Sequence, residues 1–289
     1  MTQPSVLIEV TNNVGWISLN RPKVLNSLNV EMVDLIHKQL QKWRDDQRIS
    51  FVCITGEGTK GLCAGGDMRV FYDLKESNVN EAAFDFFSIE YQMDICIHHY
   101  PKPVLVYMDG IVMGGGVGIS IGASHRIVTE NTKWAMPEMN IGFYPDVGAS
   151  YFLNKMPGAI GRYLALTSKI VNAFDIIYAG AADFYLDSSN WTELKSEILI
   201  KKWSTTSVDS ELSKLIKKYS THVQVDSSQL AILQEKINKH FVYDSIEEIL
   251  YSLENADSEN DGVHWTNETK RTLLSKSPIS LKVTLHQLQ

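Results

Sequence analysis

The sequence is poor in cysteine and in positive charge, and it has no long apolar run. Its 289 residues include three cysteines, too few for a disulfide framework, so we expect buried thiols and a reducing compartment. With 27 Lys and Arg against 34 Asp and Glu, the net charge of -7 argues against a nucleic-acid surface. No run reaches the roughly eighteen apolar residues of a membrane span, and MTQPSVLIEV matches no targeting peptide. These absences predict a cytoplasmic protein without nucleic-acid or membrane partners.

The order of apolar segments predicts an α/β core followed by a helical region. VLIEV and GWISL form a predicted β-hairpin across TNNVG, and the next segment has one apolar helical face behind Asn29 as N-cap. FVCITG, VLVYMDG and HRIVTE are typical of buried strands, and they alternate with helices over residues 1–190, which implies parallel pairing. Residues 191–289 have helical periodicity without a convincing strand, and residues 257–262, DSENDG, are a predicted polar loop.

Two glycine-rich segments follow predicted strands. Residues 61–69, GLCAGGDMR, place Gly65 and Gly66 before a short helix that begins around Met68. Residues 109–124, DGIVMGGGVGISIGAS, place three consecutive glycines before small and apolar residues. Glycine lets a ligand approach the main chain closely and leaves amides free to point at a negative oxygen. A tight turn explains either loop alone, but two such loops favour a shared site.

Three hypotheses compete for the second loop. Gly118, Ser120 and Gly122 form G-x-S-x-G, which would make Ser120 a hydrolase nucleophile, but that elbow must follow a strand directly. Here GGGVG intervenes and places Ser120 one turn inside the helix. No register of the glycines satisfies the dinucleotide fingerprint. The third hypothesis is an oxyanion hole made from one amide of each loop, facing a carbonyl oxygen on which charge develops.

A further segment, MPEMNIGFYPDVG at residues 136–148, carries two carboxylates in an otherwise apolar run. In the simpler interpretation Asp146 caps a helix that begins in DVGASYFLNKM, and Glu138 is a solvated loop charge. In the other, both carboxylates belong to the site that the glycine loops form. The segment by itself leaves the choice open.

Together, NRPKVLNSL, CAGGDMR, GIVMGGGVGIS and MPEMNIGFYPDVGASYFL resemble the crotonase (enoyl-CoA hydratase/isomerase) superfamily, from about residue 5 to the end. Within it, the residues are most similar to the branch that hydrolyses 3-hydroxyisobutyryl-CoA in valine breakdown. The resemblance implies a crotonase-like spiral of ββα turns, acyl-CoA substrates and an oxyanion hole made by the amides of Gly66 and Gly115. It also implies that trimers are common, and no cofactor is expected beyond the CoA of the substrate.

The resemblance also separates hydrolysis from hydration. Hydratases of this superfamily carry a glutamate where this chain has Gly118, and a glycine where it has Asp146. Glu138 is therefore expected to work with Asp146 on a thioester carbonyl. Glu138 would act as nucleophile or general base, and Asp146 as an acid or as the group that orients water. The spacing does not separate the two roles of Glu138.

Further residues match substrate-binding positions of this branch. Glu90, in FFSIEYQMD, would receive the 3-hydroxyl of the acyl group. Its alternative is a solvated charge on a helix from about Glu81 to His98. Because a net acidic protein must supply positive charge locally for CoA phosphates, basic residues near the first loop are also candidates. The candidates around this loop are Asp67, Arg69, Lys23 and Arg21.

Three functional hypotheses follow. They are a 3-hydroxyacyl-CoA hydrolase, an enoyl-CoA hydratase or isomerase, and a non-catalytic acyl-CoA-binding or structural homologue. Hydrolases of the family usually continue for some tens of residues beyond Gln289, so residues 191–289 are expected to form a shortened helical region. No metal site is predicted, because His98 and His99 are adjacent and point to different faces of their helix.

Overall fold

The computed structural model describes residues 3–74, 76–204, 206–256 and 263–289. The predicted polar loop at residues 257–262 lies outside these ranges, as do the first two residues of the N-terminal segment. Cys53, Cys63 and Cys96 are free and buried, so the prediction of buried thiols is confirmed.

The N-terminal hairpin forms as the sequence predicts. Strand β1 (Val6–Thr11) pairs antiparallel with β2 (Val14–Leu19) through a turn at Asn12 and Asn13. The two asparagines have φ angles of 49° and 66°, a region that asparagine adopts more readily than most residues. The turn chemistry therefore agrees with the strand pairing on either side.

Helices α1 (Val30–Arg44) and α3 (Glu76–His98) pack against each other. The side chain of Asn29 accepts a hydrogen bond from the Met32 amide, so the predicted N-cap of α1 is confirmed. Helix α3 begins five residues before the predicted start at Glu81, and it carries Glu90 across the interior of the protein.

The strands after the hairpin alternate between two sheets. Their bounds are β3 (Phe51–Gly56), β4 (Gly61–Cys63), β5 (Val104–Met108), β6 (Ile111–Met113), β7 (His125–Val128), β8 (Lys133–Ala135) and β9 (Phe184–Tyr185). A six-stranded sheet has the order β1-β2-β3-β5-β7-β9, and a three-stranded sheet has the order β4-β6-β8. All pairs after the hairpin are parallel.

Three successive turns of the chain have the same construction. Each adds one strand to the large sheet, the next strand to the small sheet, and then a helical segment. The helical segments are α2 (Met68–Asp73) with α3, then α4 (Gly115–Ile121), then a 3-10 turn (Glu138–Ile141). This repeat confirms the predicted spiral of ββα turns. Because β4, β6 and β8 are parallel neighbours, the segments that follow them meet at one edge of the small sheet.

The C-terminal region is helical, as predicted. The remaining helices are α5 (Ala149–Phe152), α6 (Ile160–Thr167), α7 (Ala173–Tyr178), α8 (Trp191–Ile200), α9 (Val208–Tyr219), α10 (Gln229–Phe241), α11 (Ile246–Glu254), α12 (Val263–Leu274) and α13 (Pro278–Gln287). From residue 191 onward, the described ranges contain no named strand. Across the part of the chain that the structure describes, no helix combines the length and apolar character needed to cross a membrane.

The last helix packs on the segment that follows β8. Leu281 and Leu285 of α13 belong to the same buried cluster as Met139 of the 3-10 turn. The Thr284 hydroxyl of α13 donates to the Met139 sulfur at 3.4 Å. The core thus extends across the division predicted at residue 190, and the C-terminal helices support the turn that contains Glu138.

Candidate active site

The two glycine turns lie against each other after β4 and β6. An ideal Cβ on Gly115 would stand 3.5 Å from the Gly66 nitrogen, and one on Gly65 would stand 3.5 Å from the Gly115 nitrogen. Gly65 and Gly114 have φ angles of 104° and 51°, which favour glycine strongly. Within the described ranges, the amides of Gly66 and Gly115 donate no hydrogen bond. Two unpaired N–H groups therefore lie close together.

Glu138 is buried beside these turns. It is the first residue of the 3-10 turn after β8, and it is only 7% exposed. Its Oε1 would stand 2.9 Å from an ideal Cβ on Gly114, and its Oε2 has no hydrogen-bond partner among the described residues. The interpretation of Glu138 as a solvated loop charge is therefore wrong.

Glu90 reaches the same place from helix α3. It is 2% exposed, so the alternative of a solvated helix charge is wrong as well. Its Oε1 would stand 2.4 Å from an ideal Cβ on Gly115, and this oxygen has no hydrogen-bond partner in the part of the chain described. A larger residue at position 115 would have to displace the Glu90 carboxyl group.

Asp146 is held by Tyr91 of α3. The Tyr91 hydroxyl donates to Asp146 Oδ2 at 2.7 Å, whereas α5 begins at Ala149 behind Gly148 with no side-chain cap. The interpretation of Asp146 as a side-chain helix cap is therefore wrong. The next residue, Val147, has a φ of 43°, a conformation that β-branched residues rarely adopt and that costs about 1–3 kcal/mol. Backbone strain of this kind persists only where the surrounding packing holds it.

A fourth carboxyl group, that of Asp94, lies in the same cluster and was missed from the sequence. Asp94 is four residues after Glu90 on α3, so the two side chains share one face of the helix. Both Asp94 oxygens are buried and have no hydrogen-bond partner among the described residues. Its Oδ2 would stand 2.7 Å from an ideal Cβ on Gly118. The four-residue spacing was visible in the sequence, but only the fold brings α3 against α4.

Burial raises the pKa of all four carboxyl groups, and repulsion from neighbouring carboxylates adds to the shift at Glu90, Asp94 and Glu138. Burial, followed by the charges of Asp146 and Glu138, raises the pKa of Glu90 to about 8. Burial also raises the pKa of Glu138 to about 8; a main-chain hydrogen bond opposes this shift and the Asp146 charge adds to it. The pKa of Asp94 is raised well above its usual range by burial and by the charges of Glu90 and Asp146. That of Asp146 is raised by burial, against the hydrogen bond from Tyr91. The cluster therefore retains protons at neutral pH.

The raised pKa values predict that stability falls as the pH rises. Between the usual glutamate value of 4.5 and about 8, the native state binds more protons at Glu90 than the unfolded state does. The unfolding free energy therefore decreases across this window. We expect Glu90→Gln to raise the Tm by a few degrees at about pH 8 and to have less effect at about pH 5, as measured by calorimetry. The exposed Glu193→Gln is the control, and equal Tm shifts for both variants would contradict the prediction.

The candidate CoA-binding residues divide into two groups. Arg21 pairs with Asp67 at 2.9 Å and donates to the Ser27 carbonyl at 2.7 Å, so its charge is already compensated. Lys23 and Arg69 are exposed, and neither forms an ion pair within the described ranges. Two uncompensated cations therefore flank the first glycine loop.

A cavity of about 890 Å³ opens beside the carboxyl cluster. Its lining includes Asp94, whose two oxygens are buried, together with Gly118 and Asp146, and it extends to the exposed side chains of Ile95 and Tyr151. Neither the two unpaired amides nor the two glutamates line it. The cavity thus connects solvent with the aspartates of the cluster.

Two other hypotheses can be compared with the structure. Ser120 is fully buried, and its hydroxyl donates to the carbonyls of Gly116 and Val117 at 2.9 and 3.0 Å. The hypothesis of a Ser120 nucleophile is therefore wrong. Among the described residues, no group of three or more His, Cys, Asp or Glu is arranged to hold a metal ion.

The sequence of residues 14–289 matches the family described as enoyl-CoA hydratase/isomerase. The chain belongs to this family. The chain is also similar to a solved structure that is named a carnitinyl-CoA dehydratase from Mycobacterium thermoresistibile. The two superpose with a TM-score of 0.88 and are 34% identical, over 98% of this chain and 78% of that one. The fold and the family predicted from the sequence are thereby confirmed.

Curated relatives of this enoyl-CoA hydratase/isomerase family chain differ in their described roles. This chain is 38% identical, over 98% of its length, to "Small ribosomal subunit protein mS47" of Neurospora crassa, and it spans 58% of the length of that relative. It is 36% identical over 98% of its length to "3-hydroxyisobutyryl-CoA hydrolase, mitochondrial" of Gallus gallus, and it spans 72% of that protein. The chain thus resembles both a named hydrolase and a named ribosomal protein.

Proposed function

We propose that this protein hydrolyses a 3-hydroxyacyl-CoA thioester, with 3-hydroxyisobutyryl-CoA as the preferred substrate. One observation supports this most strongly. The carboxyl groups of Glu138 and Glu90 lie against Gly114 and Gly115, in the turns that carry the two unpaired amides, and each has a buried oxygen without a hydrogen-bond partner among the described residues. Unpaired amides suit an oxygen that becomes negative, and a nearby carboxylate suits the attack on the carbon that bears it. The relatives named 3-hydroxyisobutyryl-CoA hydrolase favour the same reaction.

In the proposed reaction, the thioester oxygen accepts hydrogen bonds from Gly66 and Gly115. If Glu138 acts as a base, it takes a proton from water as the water oxygen bonds to the acyl carbon, and the departing CoA sulfur receives that proton. If Glu138 acts as the nucleophile, it forms an anhydride as CoA leaves with a proton from the carboxyl cluster. Water then opens the anhydride and returns a proton to the cluster. The products are the same, a free acid and CoA thiol.

Substrate selection is assigned to residues around this centre. With a pKa of about 8, Glu90 is mainly protonated at neutral pH, so it can both donate to and accept from a 3-hydroxyl group. Lys23 and Arg69 supply positive charge for the phosphates of CoA, whereas the charges of Asp67 and Arg21 neutralise each other in an ion pair. No cofactor is required beyond the CoA that enters with the substrate.

Hydration of an enoyl-CoA is the nearest enzymatic alternative. The structural neighbour titled a dehydratase favours it. Against it, Gly118 supplies no carboxylate from α4, and the Asp94 oxygens lie where a side chain at that position would begin. The carboxyl groups that lie against the glycine turns are instead those of Glu138 and Glu90.

A structural role in an assembly is the second candidate function. It is favoured by the 38% identity to a protein named as a ribosomal component in Neurospora crassa. Co-sedimentation of the tagged protein with a ribosomal small subunit from its own cells would support this role. Sedimentation as a free protein or as a small homo-oligomer, such as a trimer, would count against it.

Thiol release separates these functions. We expect 3-hydroxyisobutyryl-CoA to release thiol, followed with a thiol reagent, faster than its analogue without the 3-hydroxyl group. The hydrolase proposal is abandoned if crotonyl-CoA loses its double-bond absorbance while none of the esters releases thiol. Binding of CoA esters without any reaction would favour the non-catalytic hypothesis.

The location of the protein belongs with the same proposal. The cytoplasmic location predicted from the N-terminal residues remains a prediction, because the vertebrate relatives are named as mitochondrial proteins. A fluorescent fusion of the full natural protein would distinguish the two compartments.

A further inference from the structure

Asp94 is an acid to which the fold gives no partner. Both of its oxygens are buried, and no described residue donates a hydrogen bond to either one. Burying a carboxyl group without a partner costs folding free energy, and such groups concentrate at functional sites. The mechanism proposed above gives Asp94 no role of its own, so its position needs a separate explanation.

The space that Asp94 occupies depends on Gly118. An ideal Cβ on Gly118 would stand 2.7 and 3.0 Å from the two Asp94 oxygens, and 2.9 Å from the Val147 Cβ. A side chain at position 118 is therefore incompatible with the Asp94 carboxyl group and with the strained Val147. The glycine in α4 and the aspartate in α3 form a matched pair.

The environment of Asp94 defines which ligand it can hold. Asp94 and Asp146 both line the cavity of about 890 Å³, whereas the glutamates do not. Asp146 already accepts a hydrogen bond from Tyr91, which favours its ionised form. Asp94 has no such donor, so it ionises after Asp146 does and offers an O–H group. A neutral acid and a carboxylate on one cavity wall suit a small molecule that both accepts and donates hydrogen bonds.

We propose that Asp94 is a positioning residue that, as a neutral acid, holds the attacking water together with ionised Asp146 at the inner end of this cavity. The inference rests on the proposed hydrolase function. The water accepts a hydrogen bond from the Asp94 O–H group and donates one to Asp146. One lone pair then remains to face the acyl carbon. The cavity brings this water from solvent to the aspartates of the cluster.

Other charged groups that face the cavity bear on its pH dependence. Helix α3 contributes a tyrosine and a histidine, and the residue after it contributes a second histidine. Strand β7 contributes an arginine, and residues 144–155 contribute two tyrosines and a lysine. These groups are Tyr91, His98, His99, Arg126, Tyr144, Tyr151 and Lys155. None of them donates to Asp94, so the Asp94 variants test that side chain itself.

The test compares Asp94→Ala with Asp94→Asn. Asp94→Ala removes the donor. We expect kcat for thiol release to fall on the order of tenfold with KM unchanged, because one hydrogen bond to the water is lost. Asp94→Asn keeps a neutral donor and should retain most of the wild-type kcat. Both variants should have a raised Tm, because each removes an unpartnered buried acid.

The control and the contrary outcomes are specific. Asp85→Ala changes an exposed aspartate of the same helix and should leave kcat, the pH profile and the Tm unaltered. Wild-type kcat in Asp94→Ala would overturn the Asp94 proposal alone, as would an Asp94→Asn variant that is as slow as Asp94→Ala. Absence of thiol release from the wild-type protein would overturn the proposed function as well.

Discussion

Replacing Glu138 with Gln is expected to lower thiol release from 3-hydroxyisobutyryl-CoA by a factor on the order of a thousand, with binding of the ester roughly retained. Gln has nearly the same shape, so it preserves the contact with Gly114 while removing the group that attacks or accepts the proton. Initial rates of thiol release would give kcat, and titration of the variant with substrate would give its affinity for the ester.

The wild-type pH profile adds a second measurement on the same residue. Burial raises the pKa of Glu138 to about 8, and the reaction needs the ionised form, so kcat/KM should increase with pH up to about this value. Ser120→Ala is the control, because its buried hydroxyl only bonds to its own helix and the variant should keep a near-normal rate. Wild-type kcat in Glu138→Gln would remove this residue from the mechanism.

Replacing Asp146 with Asn should lower thiol release on the order of a hundredfold. The Asn side chain keeps the shape and can still accept from Tyr91, but it carries no negative charge and cannot exchange a proton. The backbone strain at Val147 shows that this segment is held in place, so little relaxation is expected to compensate for the change. The variant should retain wild-type far-UV circular dichroism and affinity for CoA.

Tyr91→Phe provides the graded comparison for Asp146. It removes the 2.7 Å hydrogen bond that favours the ionised carboxylate, so the pKa of Asp146 should rise. We expect a fall in kcat of only a few fold, because one hydrogen bond is lost, with the acid limb of the pH profile moved upward. If Asp146→Asn is no slower than Tyr91→Phe, the carboxylate itself does not take part.

Most of the fold follows from local sequence patterns. Asn12 and Asn13 predict the turn of the hairpin, because few other residues adopt positive φ readily. The apolar face that follows Asn29 predicts α1. The short strands β4, β6 and β8 are harder to find. Each has only three residues, too few for a periodicity to be measured, and the sequence gives no sign that they form a second sheet.

The site could be predicted only where a motif exists. Gly66, Gly115, Glu138 and Asp146 stand in recognisable segments, and the fold brings their loops together at one edge of the small sheet. Asp94 stands in no motif, because its position depends on a tertiary contact between the successive helices α3 and α4, which are separated by two strands. Arg21 is the opposite case, a residue that the sequence proposes for the site but that the fold pairs with another side chain. Its charge suggested a phosphate contact, but its salt bridge with Asp67 is a tertiary feature that composition does not reveal.

The contact between α13 and the 3-10 turn links helix α13 to the proposed catalytic residue Glu138. The Met139 sulfur accepts a hydrogen bond from the Thr284 hydroxyl, and Met139 directly follows Glu138 in the chain. Loosening α13 would therefore alter the orientation of the Glu138 carboxyl group, the proposed reactive group, before the rest of the core unfolds. Activity should be a more sensitive reporter of damage at the C-terminus than any spectroscopic measure of helix content, and inactive protein that still looks folded is the state to expect first on mild proteolysis or heating.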